Sequence, residues 1–212
     1  NSNATLTNSQ LNIGTSGTWA TGVLSADAGS TVRLLGVDVN GVGGLLMTGA
    51  GRYELQGGAL RNTTLTFDPG NALQVTGGAI LDGVVLNGDL DLTAHNNVQV
   101  ELRNGLVLNG TAYVGSADGS QYGGIHFYET QTVSGTGEIL FGGSVHNTLG
   151  IWASETTVTL GSDLTVHGAA GSLQIYYGSG GFVNNGAIAS DGGGRIDLGG
   201  NTFVNHGIVS AT

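Results

Sequence analysis

The sequence predicts an all-β chain wound as a right-handed parallel β-helix, a β-solenoid of about nine to ten turns with roughly 20–27 residues in each. Three observations carry this. Val85-Leu86-Asn87-Gly88 returns as Val107-Leu108-Asn109-Gly110, 22 positions later. Apolar residues alternate in short runs with no helical period. Composition agrees: 41 Gly, one Pro and no Cys among 212 residues, with only 9% charged. Interior strands need N–H donors, which Pro lacks, while Gly supplies the positive φ of tight corners.

The chain reads as a single β-helix domain over 1–212, with residues 1–55 as less regular N-terminal turns or a cap. Thr5-Leu6-Thr7, Gln10-Leu11-Asn12-Ile13 and Val32-Arg33-Leu34 alternate as half-buried strands do. Trp19, between Gly17 and Gly22, is expected at a corner. Gly41 to Gly51 reads as a loop around Leu45-Leu46-Met47. Ser2-Asn3-Ala4 resembles a scar left by tag removal, so a start further upstream is expected. No signal-peptide pattern opens the chain.

From 56 to 212 the repeats are regular. Gly57-Gly58-Ala59-Leu60 matches Gly77-Gly78-Ala79-Ile80 at a step of 20, and Leu65, Leu86 and Leu108 follow at 21 and 22. Val133-Ser134-Gly135-Thr136 aligns with Leu108-Asn109-Gly110-Thr111 at 25, and Leu160 follows Val133 at 27. Phe182-Val183-Asn184-Asn185-Gly186 returns as Phe203-Val204-Asn205-His206-Gly207 at 21. The longer steps place longer turns near 116–124 and 142–157, where a solenoid tolerates insertions and often carries function.

A winding of ~22 residues is too short for a helical crossover, so each strand must pair with its equivalent one winding later, ~4.8 Å away. Leu86, Leu90 and Leu92 then lie over Leu108, Ala112 and Val114 in one apolar column. Nine or ten windings make a rod ~45 Å long. Exposed strand edges at its ends predict end-to-end self-association or flanking windings.

The phrases LDGVVLNGDLDLT (81–93), LRNGLVLNGTAYVG (102–115), QTVSGTGEILFGG (131–143) and FVNNGAIASDGGGRIDLGG (182–200) resemble the β-helical repeats of large secreted bacterial surface proteins. These are the filamentous-haemagglutinin-like adhesins and autotransporter passenger domains. The resemblance covers roughly residues 55–212. It implies a secreted or cell-surface location, a role as stalk, adhesin or matrix component, and a host or matrix surface as partner. It transfers no catalytic residue.

Charge narrows the partners. A formal net charge of −10, with five Arg and no basic stripe, opposes nucleic acid. No apolar run approaches the ~20 residues that a membrane-inserted helix requires. Asp89 and Asp91 point outward on one strand, with Thr111 and Tyr113, then Thr136 and Glu138, then Asp163 and Thr165 expected on the windings above. Asp91 and Glu138 become candidate catalytic acids, two windings or ~9–10 Å apart. That is the second functional reading, a polysaccharide-degrading hydrolase or lyase; the plain reading of the row is a solvated acidic face.

Exposed aromatic rings can stack on sugars, so Tyr113, Tyr122, Tyr128 and Trp152 are candidate ligand-binding residues. Phe127, Phe141 and one of Tyr176 and Tyr177 are expected inside the column. No cofactor is implied; Ca²⁺ is the one cation considered, and Ser190-Asp191-Gly192-Gly193-Gly194 is the nearest fragment to a calcium-binding repeat. His95, His126, His146, His167 and His206 show no zinc spacing, which leaves the metal set empty. The first functional reading is a non-enzymatic structural or adhesive module, with polysaccharide as a candidate ligand.

Overall fold

A computed structural model of the chain describes residues 3–6, 9–14 and 16–212, without the side chains of 3–6 and Val42. Ser2 of the scar and Thr7 of the first predicted strand lie outside the described residues. The described residues contain strands and no helix. Every strand pairing is parallel, and the strands close into a β-solenoid of about nine windings.

Each winding has three faces, built from separate short strands in the later windings and from longer continuous strands, such as Thr31–Thr48 and Arg52–Phe67, in the earlier ones. One face, called here the aspartate face, stacks Asp89–Leu92, Thr111–Val114, Glu138–Phe141, Thr165–Gly168 and Ala187–Ser190. The next, the histidine face, stacks the start of Val98–Leu108 under Gly123–Phe127, Thr148–Ile151 and Gly171–Ile175. The third carries the end of Val98–Leu108, then Gln131–Ser134, Thr156–Leu160 and Gly180–Asn184.

Alternation in the sequence becomes alternation of burial. Asp89–Leu92 and Thr111–Val114 each place positions two and four inside. Leu90 stacks under Ala112, Leu92 under Val114, and Leu86 under Leu108. On the aspartate face one column runs from Leu11 through Val32, Tyr53, Leu73, Leu90, Ala112, Ile139, Val166 and Ile188 to Val209. Full burial of each large aliphatic side chain stabilises by ~1.5–3 kcal/mol. Phe127, Phe141 and Phe182 fill the core, each at most 1% exposed.

The corners are held by polar ladders. Asn62 and Asn104 adopt φ of 49° and 51°, conformations that Asn tolerates better than most residues. The Asn62 amide donates to Asn40 Oδ1 at 2.9 Å, Asn104 to Asp82 Oδ1 at 2.7 Å, and Asn109 to Asn87 Oδ1 at 2.8 Å. Each bond links one winding to the one before.

Three local expectations change. Gly41 to Gly51 is largely strand: Thr31–Thr48 runs through it, with Leu45 and Met47 in the core. Its glycines mark a bulge between Asn40 and Gly43. The Gly57-Gly58 match at 20 is one residue short, because Ala59 pairs with Ile80 and Leu60 with Leu81. Period-2 burial forbids that slip, since one residue would turn Leu81 outward. Finally, Val133 lies over Leu106, and Glu138 lies over Thr111 at a step of 27. Gly135 takes the place above Leu108, at φ 106°, where a Cβ would sit 2.1 Å from the Leu108 carbonyl oxygen.

Candidate functional site

On the histidine face the outward row reads Asp38, Ala59, Ile80, Glu101, His126, Gly150, Gln174. Phe127, Ile151 and Ile175 stack inside the adjoining corner. Tyr128, Trp152 and Tyr176 each follow one of these residues, so three aromatic side chains leave successive windings at one place. The backbone holds them there: Trp152 N donates to Phe127 O and Tyr176 N to Ile151 O, both at 2.8 Å.

Missing Cβ atoms let the rings fold back over the strands. A Cβ on Gly150 would lie 2.7 Å from Tyr176 Cε2 and 3.0 Å from Trp152 Nε1. Trp152 and Tyr176 stack with centroids 4.3 Å apart and planes at 28°. Tyr177 meets Trp152 at 5.4 Å and His126 meets it at 5.0 Å. Gln174 donates to the Tyr176 hydroxyl at 2.5 Å, which fixes the outer ring. Tyr128 and Tyr176 are each 41% exposed and Tyr177 60%. An exposed aromatic cluster on a polar surface is a recognised mark of a binding site.

Electrostatically the corner is quiet. Burial holds His126 down at about 4, so its ring is neutral at neutral pH. Burial, and then the charge of Glu101, push the Tyr128 hydroxyl up, so it stays protonated and able to donate. Trp152 Nε1 is enclosed and has no hydrogen-bond partner. From Tyr128 and His126 a groove of about 350 Å³ runs down the same face over Ile80, Ala79, Gly78, Ala59 and Gly58.

The other residues singled out from sequence lie elsewhere. Tyr113 is on the aspartate face between Asp91 and Leu140, 37% exposed. Tyr122 belongs to the corner between the aspartate and histidine faces, tilted against His146 at 5.4 Å. Asp91 accepts hydrogen bonds from Thr93 N (2.8 Å), Thr93 Oγ1 (2.6 Å) and Gln74 Nε2 (2.8 Å). Glu138 accepts from Thr111 Oγ1 at 2.9 Å and meets His167 Nε2 at 3.1 Å. His167 Nδ1 is 2.9 Å from Asp191 Oδ2.

The register shift removes the expected alignment of the two acids. Asp91 and Glu138 are two windings apart and also two residues apart along the strand, so their backbone positions are separated by ~12 Å. Asp91, Tyr113, His167 and Asp191 do line a cavity of about 610 Å³ on that face. Among the described residues no three His, Asp or Glu side chains group as a metal site would require. The Ser190–Gly194 fragment instead brings Asp191 to His167, with Asp191 also accepting from Gly168 N at 3.1 Å.

Trp152 and Tyr128 thus leave neighbouring windings at one corner, while Tyr113 and Tyr122 stand elsewhere. Sequence reasoning missed His126, Gln174 and the exposure of both Tyr176 and Tyr177. The expectation that one of those tyrosines fills the column fails because they begin a corner, one residue past the last inward position. A signal existed: Tyr128, Trp152 and Tyr176 are spaced by 24 and 24. Compared with protein-family models, with curated proteins and with solved structures, the chain matches none of them.

Proposed function

We propose that this chain is a structural or adhesive module of a secreted or cell-surface bacterial protein, and that it holds polysaccharide on the aromatic corner of its histidine face. The observation that carries the reading is the stacked Trp152–Tyr176 pair with Tyr177 against Trp152, and with the exposed Tyr128 leaving the winding before at the same corner. Amphipathic rings present a flat apolar surface for the C–H face of a sugar while hydroxyls reach its polar edge. A stack of short parallel windings supplies a stiff support, and repeat architectures present extended binding surfaces of this kind.

Cleavage of polysaccharide by Asp91 and Glu138 has less support. Each carboxylate is already engaged by neighbouring groups, and the two are offset along the strand. An inverting pair needs carboxyl groups ~6.5–9.5 Å apart with room for water between them.

The test is a glycan array probed with the parent chain and with a Trp152→Ala/Tyr176→Ala variant. The parent should retain glycans that the variant loses by about tenfold or more, which corresponds to ~1.4 kcal/mol. Tyr122→Ala should leave the profile intact. A parent chain that retains no glycan sinks the reading.

A further inference from the structure

The aromatic corner and the groove below it form one track along the long axis. The outward row from Asp38 to Gln174 covers six winding-to-winding steps, ~29 Å. Its lower part is recessed because Gly58, Ala59, Gly78 and Ala79 bring little bulk to the surface. Its upper part is a raised aromatic platform. A pyranose unit in an extended chain advances about one winding, so successive sugars would meet successive rungs.

Charge along the track selects among glycans. Arg61 is committed to Asp38 at 2.8 Å and Asp82 at 2.5 Å, and Arg103 to Glu101. Arg61 lines the groove but shares its charge between two carboxylates, and His126 is neutral; among the described residues along the track three carboxylates, Asp38, Asp82 and Glu101, face two guanidiniums, within a chain of formal charge −10. The surplus carboxylate opposes uronates and sulfates, while the oxygens of Asp38 and Glu101 can still accept hydrogen bonds from hydroxyl and amide groups.

We infer that the ligand is an extended neutral or N-acetylated polysaccharide chain of about six units, lying parallel to the solenoid axis, with its end on the Trp152–Tyr176 platform and its body in the groove over Gly78. This rests on the glycan-binding reading and narrows it to a class, a length and a direction.

Calorimetry with cello- and chito-oligosaccharides of increasing length, beside oligogalacturonate as the acidic counterpart, reads the inference directly. Affinity for the neutral series should rise with length and level off near six units, and the acidic chain should bind at least about tenfold more weakly. Gly78→Arg plugs the groove: nothing lies within 4 Å of a Cβ there and φ is not in the left-handed region. That variant should weaken the six-unit chain about tenfold and leave the disaccharide unchanged, whereas Trp152→Ala weakens both. Length-independent affinity, equal binding of the acidic chain, or an unaffected six-unit chain in Gly78→Arg overturns the track while leaving the corner intact. A parent chain that binds no member of any series overturns the corner as well.

Discussion

His126 shows how one buried side chain couples the site to stability. It is 4% exposed, lies against Trp152, and takes up its proton only at about 4 instead of 6.5. Between those two values the unfolded chain holds the proton and the folded chain does not. Folding stability therefore falls as pH drops from 6.5 towards 4, and this group adds no pH dependence above that window. His126→Phe keeps an aromatic ring and deletes the proton site. Its melting temperature should drop less than the parent's between pH 7.5 and 4.5 in circular dichroism. Equal drops would show that His126 is not the group responsible.

Gly135 is a residue on which a strand register turns. A Cβ there would meet the Leu108 carbonyl at 2.1 Å, and φ of 106° disfavours any side chain. Gly135→Ala should cost at least ~2 kcal/mol in urea unfolding, from strain together with a clash against backbone that cannot rotate away. A cost within ~0.5 kcal/mol, the range of ordinary surface substitutions, would argue that Val133 stands over Leu108 instead.

At the scale of elements, short strands of four or five residues are stable only because each is roofed and floored by its equivalents. Asp89–Leu92 contributes just two inward residues, Leu90 and Leu92, both fully buried. Leu90 touches the winding below through Leu73 and the one above through Ala112. Because Ala112 is small, the column has little spare material to collapse into a void. Leu90→Ala should therefore lie at the upper part of the ~2–5 kcal/mol range for buried leucine, measured by chemical denaturation. A loss below ~1 kcal/mol would contradict the nested column.

Over the whole molecule, contacts run almost only between neighbouring windings, so stability is distributed along one dimension. The last described winding is thinly covered. Val209 belongs to an inward column yet is 45% exposed, and its neighbours Val204 and Ile208 are 43% and 65% exposed. Opening should begin at that end. Amides of 202–211 should exchange with solvent faster than those of 98–114 in hydrogen-exchange mass spectrometry. Uniform protection in the isolated, monodisperse chain would contradict this; protection that grows with protein concentration would indicate that a second copy covers the end.

What was legible in sequence was whatever depends on period-2 burial over neighbouring windings. Leu86 over Leu108, Leu90 over Ala112 and Phe182 over Phe203 follow from alternation and step length alone, because a slip by one residue would expose every leucine in the run. The parallel solenoid follows from the same constraint. Outward residues carry no such penalty. The likeness of Gly-Thr phrases aligns Glu138 with Tyr113, and only packing, with Gly135 over Leu108, puts it above Thr111. Likewise the spacing of Tyr128, Trp152 and Tyr176 was written in the chain, but whether those rings filled the column or lay on its surface was not. That was decided by the position of the corner one residue beyond Phe127, Ile151 and Ile175, and by the bare Gly150 against which the rings rest. The hydrophobic pattern determines the inside of such a coil because burial is enforced at every winding. The outside depends on where each corner releases its side chains, which is a property of the assembled stack.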